Sequence, residues 1–117
     1  MTVQDRPPST TVEIADGIAR VYKARYGRGP LRIDVHVAGD AVVCVLRGVN
    51  TPAQRSLVEY DHAGVAQAVH ERLQTGMAPE MEAVVERATG RAVGAYVPGF
   101  NARADATTDT FLLEPVT

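Results

Sequence analysis

Tyr26-Gly27-Arg28-Gly29-Pro30 is the stretch in which residue type and spacing come nearest to a binding chemistry. Glycines on both sides of Arg28 let backbone amides converge, and the guanidinium adds a planar charged fork suited to carboxylate, phosphate or bicarbonate. The same residues also have a local explanation. Gly27 suits the left-handed residue that ends a helix, and Pro30 prevents its continuation. Neither job requires Arg28. Two readings stand here: an anion or partner contact through Gly27, Arg28 and Gly29, and a helix stop with Arg28 in solvent.

Leu46-Arg47-Gly48-Val49-Asn50-Thr51-Pro52 carries a similar ambiguity. A strand end that runs into a capped helix N-terminus offers free N–H groups to an anion, with Arg47 and Thr51 beside them. Capping alone also explains Thr51 and Pro52. If the two loops lie together, Arg28 and Arg47 converge on one concavity.

The remaining reactive side chains do not assemble into a known pattern. His62 and His70 are two helical turns apart and His36 lies elsewhere, so the three histidines do not make a metal set. Ser9 and Ser56 lack a nucleophile-elbow context, and no phosphate-binding or dinucleotide glycine motif occurs. Cys44 sits in an apolar run and reads as a small buried hydrophobe. No catalytic residue, metal ligand or cofactor is expected. The polar residues Asn101, Arg103, Asp105, Thr107 and Thr108 could bind something polar, but loop tips are polar in any case and these read as a solvated loop.

These residues must be positioned by alternating helical and strand segments. Met1 to Ser9 is polar and proline-bearing and reads as a flexible tail before a single domain over residues 10–117. Thr10 and Glu13 form a capping box, and Ile14, Ile18, Val21 and Tyr22 then fall on one helical face as far as Tyr26. Gly17 weakens this helix by roughly 1 kcal/mol relative to alanine unless a close packing contact explains it. From Leu31 the period becomes two, with Leu31, Ile33, Val35 and Val37 on one face. Gly39-Asp40 turns the chain, and Ala41 to Arg47 returns antiparallel as the more central strand. Thr51, Pro52 and Gln54 start a short helix to about Tyr60. Asp61 is placed to cap a long helix bearing Val65, Val69, Leu73, Met77, Met81, Val84 and Ala88, with a bend at Pro79 and a stop at Gly90. Ala92 to Val97 alternates, Pro98-Gly99 opens a loop, and a last strand runs from about Thr110 to Glu114.

The order α-β-β-α(α)-β-β predicts an α+β fold: a mainly antiparallel sheet of about four strands with helices on one face. Val42, Cys44 and Leu46 point opposite to Val43 and Val45, so the second strand is apolar on both sides. That pattern calls for a second subunit or the N-terminal tail over the other face.

At 117 residues and 45% hydrophobic composition the chain can bury a core without disulfides. Twelve basic against fourteen acidic side chains give a net charge of -2, which argues against nucleic-acid binding. The longest apolar run, Ala41 to Leu46, is six residues, far short of the ~20 needed to cross a bilayer. One cysteine and no apolar leader point to the cytoplasm.

Taken in order, the first helix, Gly27-Arg28-Gly29-Pro30, the hairpin, Gly48 with Thr51-Pro52, the long helix and its end from Glu86 to Gly90 resemble the MpsC-like family. These are small bacterial proteins named for a sodium-translocating, membrane-potential-generating system. The resemblance covers about Thr11 to Glu114. It departs at Gln54, where members usually carry an acidic residue, and in the last hairpin loop. It implies an accessory or regulatory protein of unassigned activity, linked to a membrane transport complex but not its translocating part. Such a protein would be a homodimer that touches its partner through the Arg28 loop or the open sheet face. The alternative is a domain, or an enzyme, that binds a small anion or metabolite through Arg28 and Arg47.

Overall fold

The stripe formed by Ile14, Ile18, Val21 and Tyr22 is the buried face of helix α1 (Pro8–Tyr26) in the computed structural model, which describes residues 8–116. The helix stops where Gly27 takes a φ of 95°, a region that glycine enters without steric cost. Strands β1 (Arg32–Ala38) and β2 (Ala41–Arg47) form the first hairpin. Helices α2 (Pro52–Glu59) and α3 (Ala63–Thr89) follow, and β3 (Val93–Asn101) with β4 (Ala106–Leu113) closes the chain as a second hairpin.

The sheet order is β1-β2-β4-β3, and each neighbouring pair is antiparallel. This is the expected α+β architecture, with β2 and β4 in the centre. The α2–α3 connection carries the chain from β2 across the sheet, so that β4 returns beside β2. Residues Val42, Cys44 and Leu46 of β2 and Phe111 and Leu113 of β4 meet Ile14, Ile18, Met77, Met81 and Val85 in one core. Gly17 packs against α3, where a Cβ would overlap the Val84 side chain. That contact accounts for a glycine inside a helix.

Several boundaries differ from the sequence reading, each for a physical reason. Of the flexible tail expected over residues 1–9, the part up to residue 7 lies outside the described residues, while Pro8 and Ser9 are already helical. Proline suits a first helical turn because its missing N–H has no partner there, and Thr10 therefore sits inside α1 instead of capping it. Asp61 does not cap α3. It takes a φ of 67° in the tight link after α2, and His62 occupies the cap position without a side-chain bond. The long helix runs through Pro79 as one α-helix.

Strand β3 continues through Pro98-Gly99, which were expected to open a loop. It is an edge strand, where a proline N–H is not needed for the ladder. Strand β4 begins at Ala106, not Thr110, because the polar run Thr107-Thr108-Asp109 pairs fully with β2. Leu31 lies just before β1 and is 79% exposed, although its N–H donates to Arg47 O at 2.9 Å.

The largest correction concerns α3. Its inward face in the first half is Ala66, His70 and Gln74, while Val65 and Val69 are 51% and 42% exposed. Polar side chains win these positions because partners from three other elements meet them there.

Candidate functional site

Alternation along β4 places Thr107, Asp109 and Phe111 on the helix-covered face, and all three are fully buried. Asp109 accepts hydrogen bonds from the Tyr22 hydroxyl at 2.8 Å, from the Tyr96 hydroxyl, and from Gln74 Nε2 at 3.0 Å. One carboxylate thus ties α1, α3 and β3 to the central strand. Burial raises its pKa, while the hydrogen bonds from Tyr96, Tyr22 and Gln74 pull the other way. Burial and then the Asp109 charge push the Tyr22 and Tyr96 hydroxyls far up, and the same two causes raise the Cys44 thiol. Both hydroxyls therefore stay protonated as donors to Asp109, and Cys44 stays a thiol.

A second polar chain runs beside the first. The Tyr26 hydroxyl donates to Gln54 Oε1 at 2.6 Å, and its oxygen lies 2.8 Å from His70 Nδ1. The single hydroxyl proton is already committed, so Nδ1 carries the imidazole proton and Nε2 accepts from Thr107 Oγ1 at 3.4 Å. The ring stacks on Phe100 with centroids 3.6 Å apart. Burial lowers the His70 pKa to about 4, against the opposing pull of the Asp105 charge. Gln54 Oε1 also accepts the Thr51 N–H at 2.8 Å, and Thr51 Oγ1 accepts the Gln54 N–H at 3.2 Å. This is the expected capping box, here extended into the core through Tyr26.

The loop from Gly48 to Thr51 does hold an anion, and the anion is the protein's own. The N–H groups of Val49 and Asn50 donate to Asp105 Oδ1 at 2.8 and 3.0 Å. Gly48 N–H donates to Asp105 O, and Asn50 Nδ2 donates to Ala102 O at 2.9 Å, which laces the β2–α2 loop to the β3–β4 turn. Asp105 reaches this position from a φ of 49°.

Gly27 and Gly29 flank the turn that brings Arg28 back over this loop, where Arg28 Nη1 donates to Asn50 O at 3.1 Å. Arg55, one turn into α2, donates to the same oxygen at 2.9 Å. Thr51 caps α2 directly beside them. Arg47 ends β2 exposed, on the face turned away from the helices, so the guanidinium beside Arg28 is that of Arg55. His36 and His62 are exposed, whereas His70 is buried.

Sequence patterning gave no place to Arg55, Asp109, His70, Gln74, Tyr22 or Tyr26 as site residues, and it set Asp105 aside as loop polarity. Weak signals existed: Tyr22 with Tyr26 and His70 with Gln74 are each four residues apart, the spacing that puts two side chains on one helical face. Asp109 shares the parity of Phe111.

A family model described as Na+-translocating membrane potential-generating system (MpsC) matches residues 9–115. Comparison with curated proteins and with solved structures returns no match. Among the described residues, no helix is long and apolar enough to cross a membrane. The match takes in the Gly27 helix stop, the capped start of α2 and both hairpins, and the chain belongs to the MpsC family.

Proposed function

We propose that this protein is an accessory domain of a membrane cation-translocating assembly, acting in the cytoplasm as a homodimer joined through the sheet face that no described helix covers. The family description supplies the setting. The observation that carries the reading is the face itself. Val43, Val45, Thr108, Thr110, Val97 and Leu112 point away from the helices, and none is charged. Val97 and Leu112 are 50% and 44% exposed.

Three strands at ~4.8 Å spacing and about five residues at ~3.3 Å rise cover roughly 250 Å² in projection, which places a contact through this face at the small, transient end of interface sizes. Small Val, Thr and Ala side chains keep the patch flat, and a twofold axis lays such a surface on itself with the two sheets ~10 Å apart. No central charge has to be desolvated. Arg32, Asp34 and Arg47 stay at the margin, where Arg32 and Asp34 pair at 2.9 Å. An interface of this extent makes a reversible dimer, with membrane contact passing through the partner assembly.

Cysteine trapping tests this. Thr110→Cys, near the middle of the face, should give an intermolecular disulfide under mild oxidation, while Ala68→Cys, exposed on α3, should not. Equal crosslinking at both positions, or none at Thr110→Cys, would refute the shared face.

A further inference from the structure

We infer that Arg28 and Arg55 form a binding site for a small oxyanion, a phosphate or a carboxylate, at the junction of α1, the β2–α2 loop and the first turn of α2. The site lies away from the open sheet face and does not depend on the dimer. Arg28 Nη1 and Arg55 Nη1 meet on one acceptor, Asn50 O, at 3.1 and 2.9 Å. Both nitrogens therefore lie within about 6 Å of each other. One guanidinium is enough for one carbonyl. A second, brought in beside it, adds like-charge repulsion that the carbonyl dipole alone does not offset.

The local charges make the same point. Among the described residues, neither Arg28 nor Arg55 is in an ion pair; the four salt bridges join Arg25 to Glu80, Arg32 to Asp34, Arg91 to Asp40 and Arg103 to Asp61. The nearest carboxylate in the hydrogen-bond pattern, Asp105, already receives the Val49 and Asn50 amides. Glu59, one turn on from Arg55, lines the same hollow as Arg55 and Asp105, yet among the described residues neither carboxylate forms an ion pair with Arg28 or Arg55. The N-terminal end of α2 contributes positive potential at the site.

Donor capacity is also left over. Each arginine spends only Nη1 on Asn50, which leaves Nη2 as a donor, whereas Arg28 Nε is closed off from solvent and is not part of the site. A guanidinium fork offers paired N–H groups in the plane that carboxylate and phosphate oxygens match. Gly27, at a φ of 95° with nothing near its missing Cβ, lets the chain turn so that Arg28 folds back onto α2 instead of pointing into solvent. A helix stop needs the glycine and not the arginine, so this return gives Arg28 a role that capping does not explain.

Thermal denaturation of the full chain tests the site, with inorganic phosphate, succinate and sodium chloride compared at one ionic strength. Phosphate or succinate at about ten times its dissociation constant should raise Tm by about 5 °C over chloride. Response to phosphate alone, to succinate alone or to both supports the site and identifies the oxyanion it prefers. Arg55→Gln, whose side chain lies at the surface, should abolish the gain. Arg103→Gln should keep the gain. Amide NMR gives a second readout: the ligand should move the Asn50, Thr51 and Ala53 resonances first. Equal shifts in all three salts, a gain that survives in both Arg55→Gln and Arg28→Lys, or unmoved amides would overturn the inference.

Discussion

Acidification should destabilise this fold through His70 in a window set by its burial. In the unfolded chain an imidazole titrates near 6.5, whereas His70 in the fold is held neutral until about pH 4. Between these values the unfolded chain binds a proton that the folded chain refuses, so stability rises with pH across the window and falls as pH is lowered through it. The full difference corresponds to about 3 kcal/mol, and about 2 kcal/mol of it is already lost at pH 5. The geometry explains the refusal: Nδ1–H is committed to Tyr26, Nε2 faces Thr107, and the ring is sandwiched against Phe100 with no exposed surface. Asp109 acts with the opposite sign, because its raised pKa makes the folded chain take up a proton first as pH falls. The comparison must therefore be a difference between chains. Urea unfolding followed by circular dichroism at pH 7 and pH 5, for the wild type and for His70→Asn, isolates the imidazole. The wild type should lose about 2 kcal/mol more than the variant over this interval. Equal losses would show that His70 is protonated as readily in the fold as outside it, and the assigned hydrogen-bond pattern would be wrong.

Asp109→Ala should cost about 3 kcal/mol or more at pH 7, because it leaves the Tyr22 and Tyr96 hydroxyls and the Gln74 amide without their common acceptor; urea midpoints measure it. Gly17→Ala should destabilise the wild type through its clash with Val84, yet stabilise a Val84→Ala background by about 0.5–1 kcal/mol, the usual helix gain over glycine. The reversal of sign in a double-mutant cycle is the readout. Asp105→Gly keeps the left-handed backbone but removes the carboxylate from two buried amides, and should cost about 2 kcal/mol or more, with accelerated hydrogen exchange at Val49 and Asn50.

Much of the frame was legible because period and punctuation agree in it. Ile14, Ile18 and Tyr22 announce the buried face of α1, Gly27 its end, and Ala41 to Arg47 the central strand with its limits. Other features depend on partners distant in the chain. Asp109 looks like loop material until Tyr22, 87 residues away, supplies its hydrogen bond. His70 and Gln74 displace Val65 and Val69 from the core for the same reason, since hydrophobicity along one helix cannot show acceptors donated by another. Pro98-Gly99 reads as a turn because edge position is a property of the sheet, not of the dipeptide. At the candidate site, Arg28 stood out because the helix stop does not need it. Arg55 did not, because an arginine on a helix surface is ordinary until its neighbour is known.

Sedimentation equilibrium of the wild type and of Val97→Glu, over micromolar to millimolar concentration, tests the central claim most directly. Val97 is half exposed on an edge strand, so glutamate there leaves the core alone. The account predicts a concentration-dependent monomer–dimer equilibrium for the wild type that Val97→Glu abolishes, with unchanged unfolding. A wild type that stays strictly monomeric to millimolar concentration, or a dimer that Val97→Glu leaves intact, would contradict it.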